Sequence, residues 1–271
     1  MLRSEWEGCR ACDLGVRREA VGGSFVFGEG HTGGIMFVGE GPGIEEEKEG
    51  RPFIGRSGRV LRYAIQRLGI DRYYITNAVT CRSCAQAYDN EGQPRYWKQR
   101  DGTLIPVIRD ELPTPAQLAA CLPRLHEEVY MVDPVLIVAL GAGAAQTLSH
   151  KAVRIQADSG STLAVRIPGA GRKAVLTEKK KAWIRKVKGA ILMPHAQNEV
   201  EYLMLPLIHP AFVMRKKSDE RWKNPVQVFA EGMKKAALIY DRYMFEVYGD
   251  RPPARELSED DLQDALSEDD G

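Results

Sequence analysis

The chain has 271 residues, 44% of them apolar, and a formal net charge of +1. That is enough apolar material for a sizeable core, in one large domain or two small ones. No apolar run approaches the ~20 residues that cross a bilayer, and Met1-Leu-Arg-Ser-Glu-Trp-Glu7 carries no secretory apolar region, so a cytoplasmic protein with no membrane association is expected.

In chain order, Cys9-Arg-Ala-Cys12 forms a C-x2-C knuckle in a charged N-terminal segment. Ile35–Val38 is a short apolar run and predicts a buried strand. Gly39 to Gly55 follows, with five glycines and two prolines in seventeen residues. Such a loop lets backbone approach a ligand closely. Glu40 and four glutamates between Glu45 and Glu49 crowd it, and Phe53 adds an aromatic face. A close-approach backbone, carboxylates and one aromatic suit a planar polar ligand. Ser57 is placed to cap a helix whose one face carries Val60, Leu61, Ala64, Ile65 and Leu68, with Gly69 closing it. Tyr73–Val79 is β-rich. Thr114-Pro115 reads as a helix start running into the Cys121 region, and Pro123 is expected to break or restart that helix. Val135–Leu140 is continuously apolar, as in a central parallel strand, and Gly141-Ala-Gly-Ala turns into another helix. Tyr202–Ile208 predicts a further strand ending at His209-Pro210, and Asn224-Pro225 opens a long last helix to about Tyr248. Strands alternating with helices predict an α/β fold: a three-layer αβα sandwich around a central, mainly parallel four-stranded sheet.

Two segments interrupt this rhythm, Ala85–Leu112 and Lys151–Lys188, and both read as insertions or long loops. The expected organisation is one domain over residues 1–249 with those insertions, then a flexible acidic tail over 250–271. The near-zero net charge hides an asymmetry: the tail holds nine acidic and two basic residues, and 151–188 holds eleven basic and two acidic. Clustered Lys/Arg suits phosphate-backbone binding as well as it suits a solvated loop. Five cysteines in a cytoplasmic chain argue against a disulfide framework. Cys81 and Cys84 form a second C-x2-C knuckle, too far from the first for a zinc ribbon. A long-range four-cysteine site for zinc or an iron–sulfur cluster stays open.

Ligands of open parallel sheets sit beyond the carboxyl ends of the strands. Glu40, Asn77, Gly141 and His209 each follow or end one of the predicted strands. Together with Gly-Glu-Gly-Pro-Gly at 39–43, Gly-Arg-Pro-Phe-Ile-Gly at 50–55, Thr76-Asn-Ala-Val-Thr-Cys-Arg82 and His209-Pro-Ala-Phe-Val-Met-Arg215, they resemble the motifs of uracil-DNA glycosylases, most closely the iron–sulfur branch called family four.

The resemblance spans roughly residues 5–245 and implies specific roles. Phe53 stacks on a uracil flipped out of DNA, Asn77 reads its polar edge, and Gly41 supplies backbone near the base. Glu40 and Glu46 shape the site and orient the attacking water. His209 donates to the developing uracil anion. Phe212, Val213 and Met214, next to Arg215, form a loop that wedges into the base stack. Cys9, Cys12, Cys81 and Cys121 hold a [4Fe–4S] cluster, with Cys84 as the alternative to Cys81 and zinc as the alternative metal. The implied activity is hydrolysis of the N-glycosidic bond of uracil in DNA by a monomer, with a replication or repair protein as a possible partner of the acidic tail. A catalytically silent DNA-binding protein of the same fold is the alternative. A related branch that bonds covalently to DNA carries a nucleophilic histidine in an inserted loop, but Ala85–Leu112 contains no histidine. Two other readings fare worse. Gly50–Ser57 nearly matches a P-loop, yet Arg56 replaces its lysine and glutamates precede it. His126-Glu-Glu128 fits the start of a deaminase motif, but no P-C-x-x-C follows.

Overall fold

A computed structural model describes residues 6–168, 180, 183, 199–215, 224–250 and 256–267. Most of the lysines and arginines of the basic segment 151–188, from Arg172 onward, lie outside the described residues.

The core is one six-stranded sheet. In chain order its strands are β1 (Glu29–Gly30), β2 (Ile35–Gly39), β3 (Tyr73–Asn77), β8 (Leu136–Leu140), β9 (Leu163–Pro168) and β10 (Glu199–Leu207). Their spatial order is β1-β3-β2-β8-β10-β9. The four inner strands are parallel, and β1 and β9 close the two edges antiparallel. The expected parallel four are therefore the heart of a wider sheet. The edge strands escaped notice for physical reasons. β1 is two residues long, and β9 alternates Arg166 with buried Val165 and Ile167 inside a stretch dominated by charge.

The continuous apolar runs have the period-2 division of a sheet covered on both faces. Ile35 and Phe37 of β2, Leu136, Val138 and Leu140 of β8, and Leu203, Leu205 and Leu207 of β10 pack to one side. That side is covered by helices Arg56–Arg67 (α3) and Pro225–Tyr248 (α8). Met36, Val38, Ile137, Ala139, Tyr202 and Met204 face the other side, under helices Pro115–Val132 (α4) and Ala142–Ser149 (α5). Each fully buried side chain of this size stabilises by roughly 1.5–3 kcal/mol, so the runs specify three layers.

Several local expectations differ from the structure. Pro123 lies inside an unbroken α4. Its missing N–H leaves one carbonyl of the preceding turn to other partners, and the helix continues through it. Helix α3 begins at Arg56 with Gly55, not Ser57, as its cap. Part of the basic insertion is the edge strand β9, and part of Ala85–Leu112 is two small sheets, pairing strands Cys84–Gln86 (β4) with Ile108–Asp110 (β7) and Tyr96–Lys98 (β5) with Leu104–Pro106 (β6). Composition predicts a flexible acidic tail, yet helix Glu259–Ser267 lies within it. Leu257 and Leu262 there are fully buried in the main core, and Arg67 pairs with Asp261. Two leucines among acidic residues carry that contact, and charge counting overlooks them. Among the described residues no helix is long and apolar enough to cross a membrane.

Candidate functional site

A cleft of about 650 Å³ opens at the carboxyl ends of the parallel strands. Parallel pairing sets Gly39 beside Asn77, so Glu40 and Asn77 leave adjacent strands side by side. Glu40, Gly41, Glu46, Phe53, Asn77, His209, Met214 and Arg215 all line it.

The aromatic platform is held under strain. Phe53 is 4% exposed and sits at φ 52°, in the left-handed region, which costs a residue with a Cβ roughly 1–2 kcal/mol. The Arg62 guanidinium fixes it, donating to the carbonyls of Phe53 and Pro52 at 2.9 Å each and to Glu29 at 2.7 Å. The Phe53 ring lies 5.8 Å from the His209 ring, tilted by 32°.

His209 follows β10 at the start of helix Pro210–Arg215 (α7). The Ala211 N–H donates to His209 Nδ1 at 3.1 Å. A ring that accepts at Nδ1 and is neutral carries its proton on Nε2. Burial, with Arg215 nearby, lowers its pKa to about 4, so the imidazole is neutral at physiological pH and Nε2 remains a donor. Asn77 is almost fully buried, and its Oδ1 has no hydrogen-bond partner among the described residues. A buried acceptor left unpaired costs about 1–3 kcal/mol, which a ligand N–H would recover.

The two glutamates divide into different tasks. Glu40 Oε1 accepts from the Gly143 N–H at 2.7 Å, at the start of α5. Burial raises the Glu40 pKa, against the opposing pull of that N–H and of Arg215. Gly141 and Gly143 are required here, because a Cβ on either would come within 2.9 Å of Glu40 Oε1. Glu46 instead spends both oxygens on backbone. It accepts from Gly43 N–H and Gly55 N–H at 3.0 Å each, clasping the two ends of the glycine-rich loop. That geometry makes it a positioning residue for the loop, one that also lines the cleft. Glu47, directly beside it, is buried against Arg17 and Arg82.

The segment expected to wedge into the base stack is the short helix α7. Phe212 and Met214 are half-buried, Arg215 is exposed, and Val213 is fully buried in the core. Val213 therefore faces inward, which corrects the expectation that it contacts DNA.

A second cavity lies beside the first helix, Asp13–Ala20 (α1). Cys9, Cys12, Cys81 and Cys121 line it together with Trp6, Leu14, Phe25 and Val79. Cys84 is not among its walls: it pairs with Asp110 across β4 and β7. The four thiols thus come from the N-terminus, the end of β3 and α4. Gly15 lets α1 close on the Cys9 loop, since a Cβ there would meet the Cys9 carbonyl at 2.4 Å. Burial pushes the Cys81 thiol up to about 11, with Arg18 pulling the other way and Cys121 and Cys12 adding to the rise. Four thiols lining one cavity with apolar walls have the donor chemistry of a thiolate-ligated cluster. Among the described residues no three of His, Cys, Asp and Glu converge closely enough to hold a single metal ion.

Arg124, a residue that the motifs do not single out, joins the two cavities. It is fully buried and donates to the carbonyls of Asn77 at 2.7 Å and Ala78 at 2.8 Å, as well as to Glu128. Glu128 in turn accepts from Tyr74 and Thr76 at 2.8 and 2.9 Å. Burial works against the Arg124 charge, but Glu128 and Cys121 outweigh it and raise its pKa. Its Nε–H is buried without an acceptor among the described residues. The readable signal was an Arg and a Glu four apart on the face that also carries Leu125, Val129 and Val132.

Residues 26–231 match the model of the uracil DNA glycosylase superfamily. The chain is also similar to curated relatives named type-4 uracil-DNA glycosylase. The relative from Thermotoga maritima is 31% identical over 219 residues, covering 78% of this chain and 81% of that protein. Those from Pyrobaculum aerophilum and Sulfurisphaera tokodaii are 33% and 35% identical, with matches covering 52% of this chain and 59% and 53% of theirs.

Proposed function

We propose that this chain, which belongs to the uracil DNA glycosylase superfamily, excises uracil from DNA by hydrolysing its N-glycosidic bond. The carrying observation is the pairing of an unpartnered Asn77 Oδ1 with a neutral His209 in one cleft. Uracil complements both. Its N3–H donates to Asn77 Oδ1, the Asn77 amide N–H donates to its O4, and His209 Nε2–H donates to its O2.

The reaction builds negative charge on the base and positive charge on the sugar. As the C1′–N1 bond breaks, its electron pair leaves with uracil, and the Nε2–H of His209 stabilises the charge arriving on O2. A neutral imidazole serves as donor without first having to discharge a proton. Glu40, in its carboxylate form, offsets the developing cation at C1′ and orients the water that adds there. The water proton passes to solvent, and the uracil anion is then protonated. Phe53 supports the flipped base, a stack worth about 1–3 kcal/mol against an unstacking cost of a few kcal/mol. Met214 and Arg215, which line the cleft, together with Phe212, hold the strand from which the base has left.

Cys9, Cys12, Cys81 and Cys121 fit a [4Fe–4S] cluster, which when bound supplies a cross-link of the N-terminus to α4 rather than redox chemistry. A labelled uracil-containing oligonucleotide, single- or double-stranded, treated with protein and then alkali, tests the activity. Strand cleavage at the abasic site is expected. No cleavage by folded, anaerobically purified protein would leave the reading of a silent DNA-binding protein. A brown protein containing iron is expected from the cysteines; a colourless one with four free thiols would remove the cluster, and zinc without iron would replace it.

A further inference from the structure

We propose that the inserted arm between Cys84 and Asp110 is a second DNA-binding surface, which grips the single strand flanking the flipped nucleotide; this rests on the uracil-excision reading of the cleft. The arm starts and ends at the cleft. Ser83, Asp110, Glu111, Leu112 and Pro113 line the cleft wall, and β4 pairs with β7 immediately above them. The chain then continues outward into the β5–β6 hairpin, where Trp97 faces Ile105 and Lys98 faces Leu104. Five residue steps take the chain from Ile105 to Asp110, a reach of at most roughly 17 Å for extended chain.

The tip of this arm is exposed throughout. Trp97 is 67% and Tyr96 48% exposed. Large aromatic faces left in water mark a binding surface more than a fold requirement. Their neighbours decide which partner. Among the described residues Arg95, Lys98 and Arg100 make no ion pair with the arm's own carboxylates, and two of its aspartates are turned into local loops. Asp89 accepts from the Glu91 and Gln93 N–H groups and Asp101 from that of Thr103, each closing a turn. Nearer the cleft, Asp110 pairs with Arg82 and Glu111 with Arg109. Exposed aromatics with Arg95, Lys98 and Arg100 directly beside them in the chain complement a strand with charged phosphates and unpaired bases, because a base stacks on Tyr or Trp only where it is not already stacked in a duplex.

The test uses full-length protein and uracil-free oligonucleotides, single-stranded and duplex, with affinity read by fluorescence anisotropy. Replacing Tyr96 and Trp97 together by alanine should weaken single-strand binding about tenfold or more and change duplex binding less. Uracil release at saturating single-stranded substrate should stay unchanged while KM rises. Lys98→Gln with Arg100→Gln should flatten the slope of log affinity against log salt by ~1.4, from ~0.7 per lost phosphate contact on a single strand. Unchanged single-strand affinity in both variants would overturn the proposal. So would an arm whose loss changes only self-association in sedimentation, which would make its occupant a second copy. If wild-type protein releases no uracil but the aromatic variant still loses single-strand affinity, the cleft reading falls and the arm stands. If wild-type protein releases uracil and the variants bind single strands as tightly as it does, the cleft reading stands and the arm falls.

Discussion

The two cavities of this chain are built on opposite principles. The strand-end cleft is wide and mixes polar with apolar walls, and some of its polar groups keep capacity for a ligand: an unpartnered Asn77 Oδ1, a neutral His209, and a Glu40 held through its Oε1 by the Gly143 N–H. The cysteine cavity is small, and apart from Thr80 and its thiols its walls are apolar. Unsatisfied polar groups suit a site that waits for a ligand; four thiols lining one cavity with apolar walls suit a permanent staple. Arg124 touches the backbone behind the first and lies beside a cysteine of the second. Position in the fold alone does not separate chemistry from scaffolding, because both cavities draw on the end of β3.

Breaking the link between them should have the largest effect on stability. Arg124→Met leaves Glu128 buried without its cation, and removing one partner of a buried pair costs about 3–5 kcal/mol. Chemical denaturation would show it as a lower midpoint; a midpoint equal to wild type would mean that the two cavities are independent. Glu46→Gln tests the clasp within the cleft. The amide can accept from only one of Gly43 and Gly55, so one N–H loses its partner, at about 1–3 kcal/mol. The expected readout is a destabilised protein with slower uracil release, and Glu46→Asp should not rescue it because the shorter chain cannot span both ends. Phe53→Leu keeps apolar bulk but gives up the stack, so KM should rise about tenfold with the fold intact, as circular dichroism would report. Cys84→Ser should change nothing: its thiol lies outside the cysteine cavity, and iron content and colour should match wild type. Loss of iron in that variant would exchange the roles of Cys81 and Cys84.

Much of this division was legible in sequence. Continuous apolar runs specify parallel strands, and Glu40, Asn77 and His209 are recognisable because each stands where such a run ends. The four cysteines of the second cavity are scattered over more than a hundred residues, and spacing alone does not separate Cys81 from Cys84; only the turn after β3, which points one inward and pairs the other with Asp110, does so. The edge strands were hidden by shortness and by charge, and the docked tail helix by the acidic residues around Leu257 and Leu262. Val213 and Phe212 look alike as apolar letters, yet helical geometry turns one into the core and leaves the other near the surface. Glu40 and Glu46 look alike as carboxylates, and only their hydrogen bonds separate them: Glu40 is held by the start of α5, and Glu46 clasps the glycine-rich loop.

The most direct test of the account is the histidine. Single-turnover uracil release and DNA affinity should be measured side by side for wild type and His209→Ala. Loss of one preorganised donor to the departing anion predicts a rate lower by about 10²–10³, with affinity for uracil-free DNA within about twofold of wild type, since His209 lines the cleft and the proposed mechanism gives it no phosphate contact. An equal loss of rate and affinity would contradict the account and make His209 a structural residue.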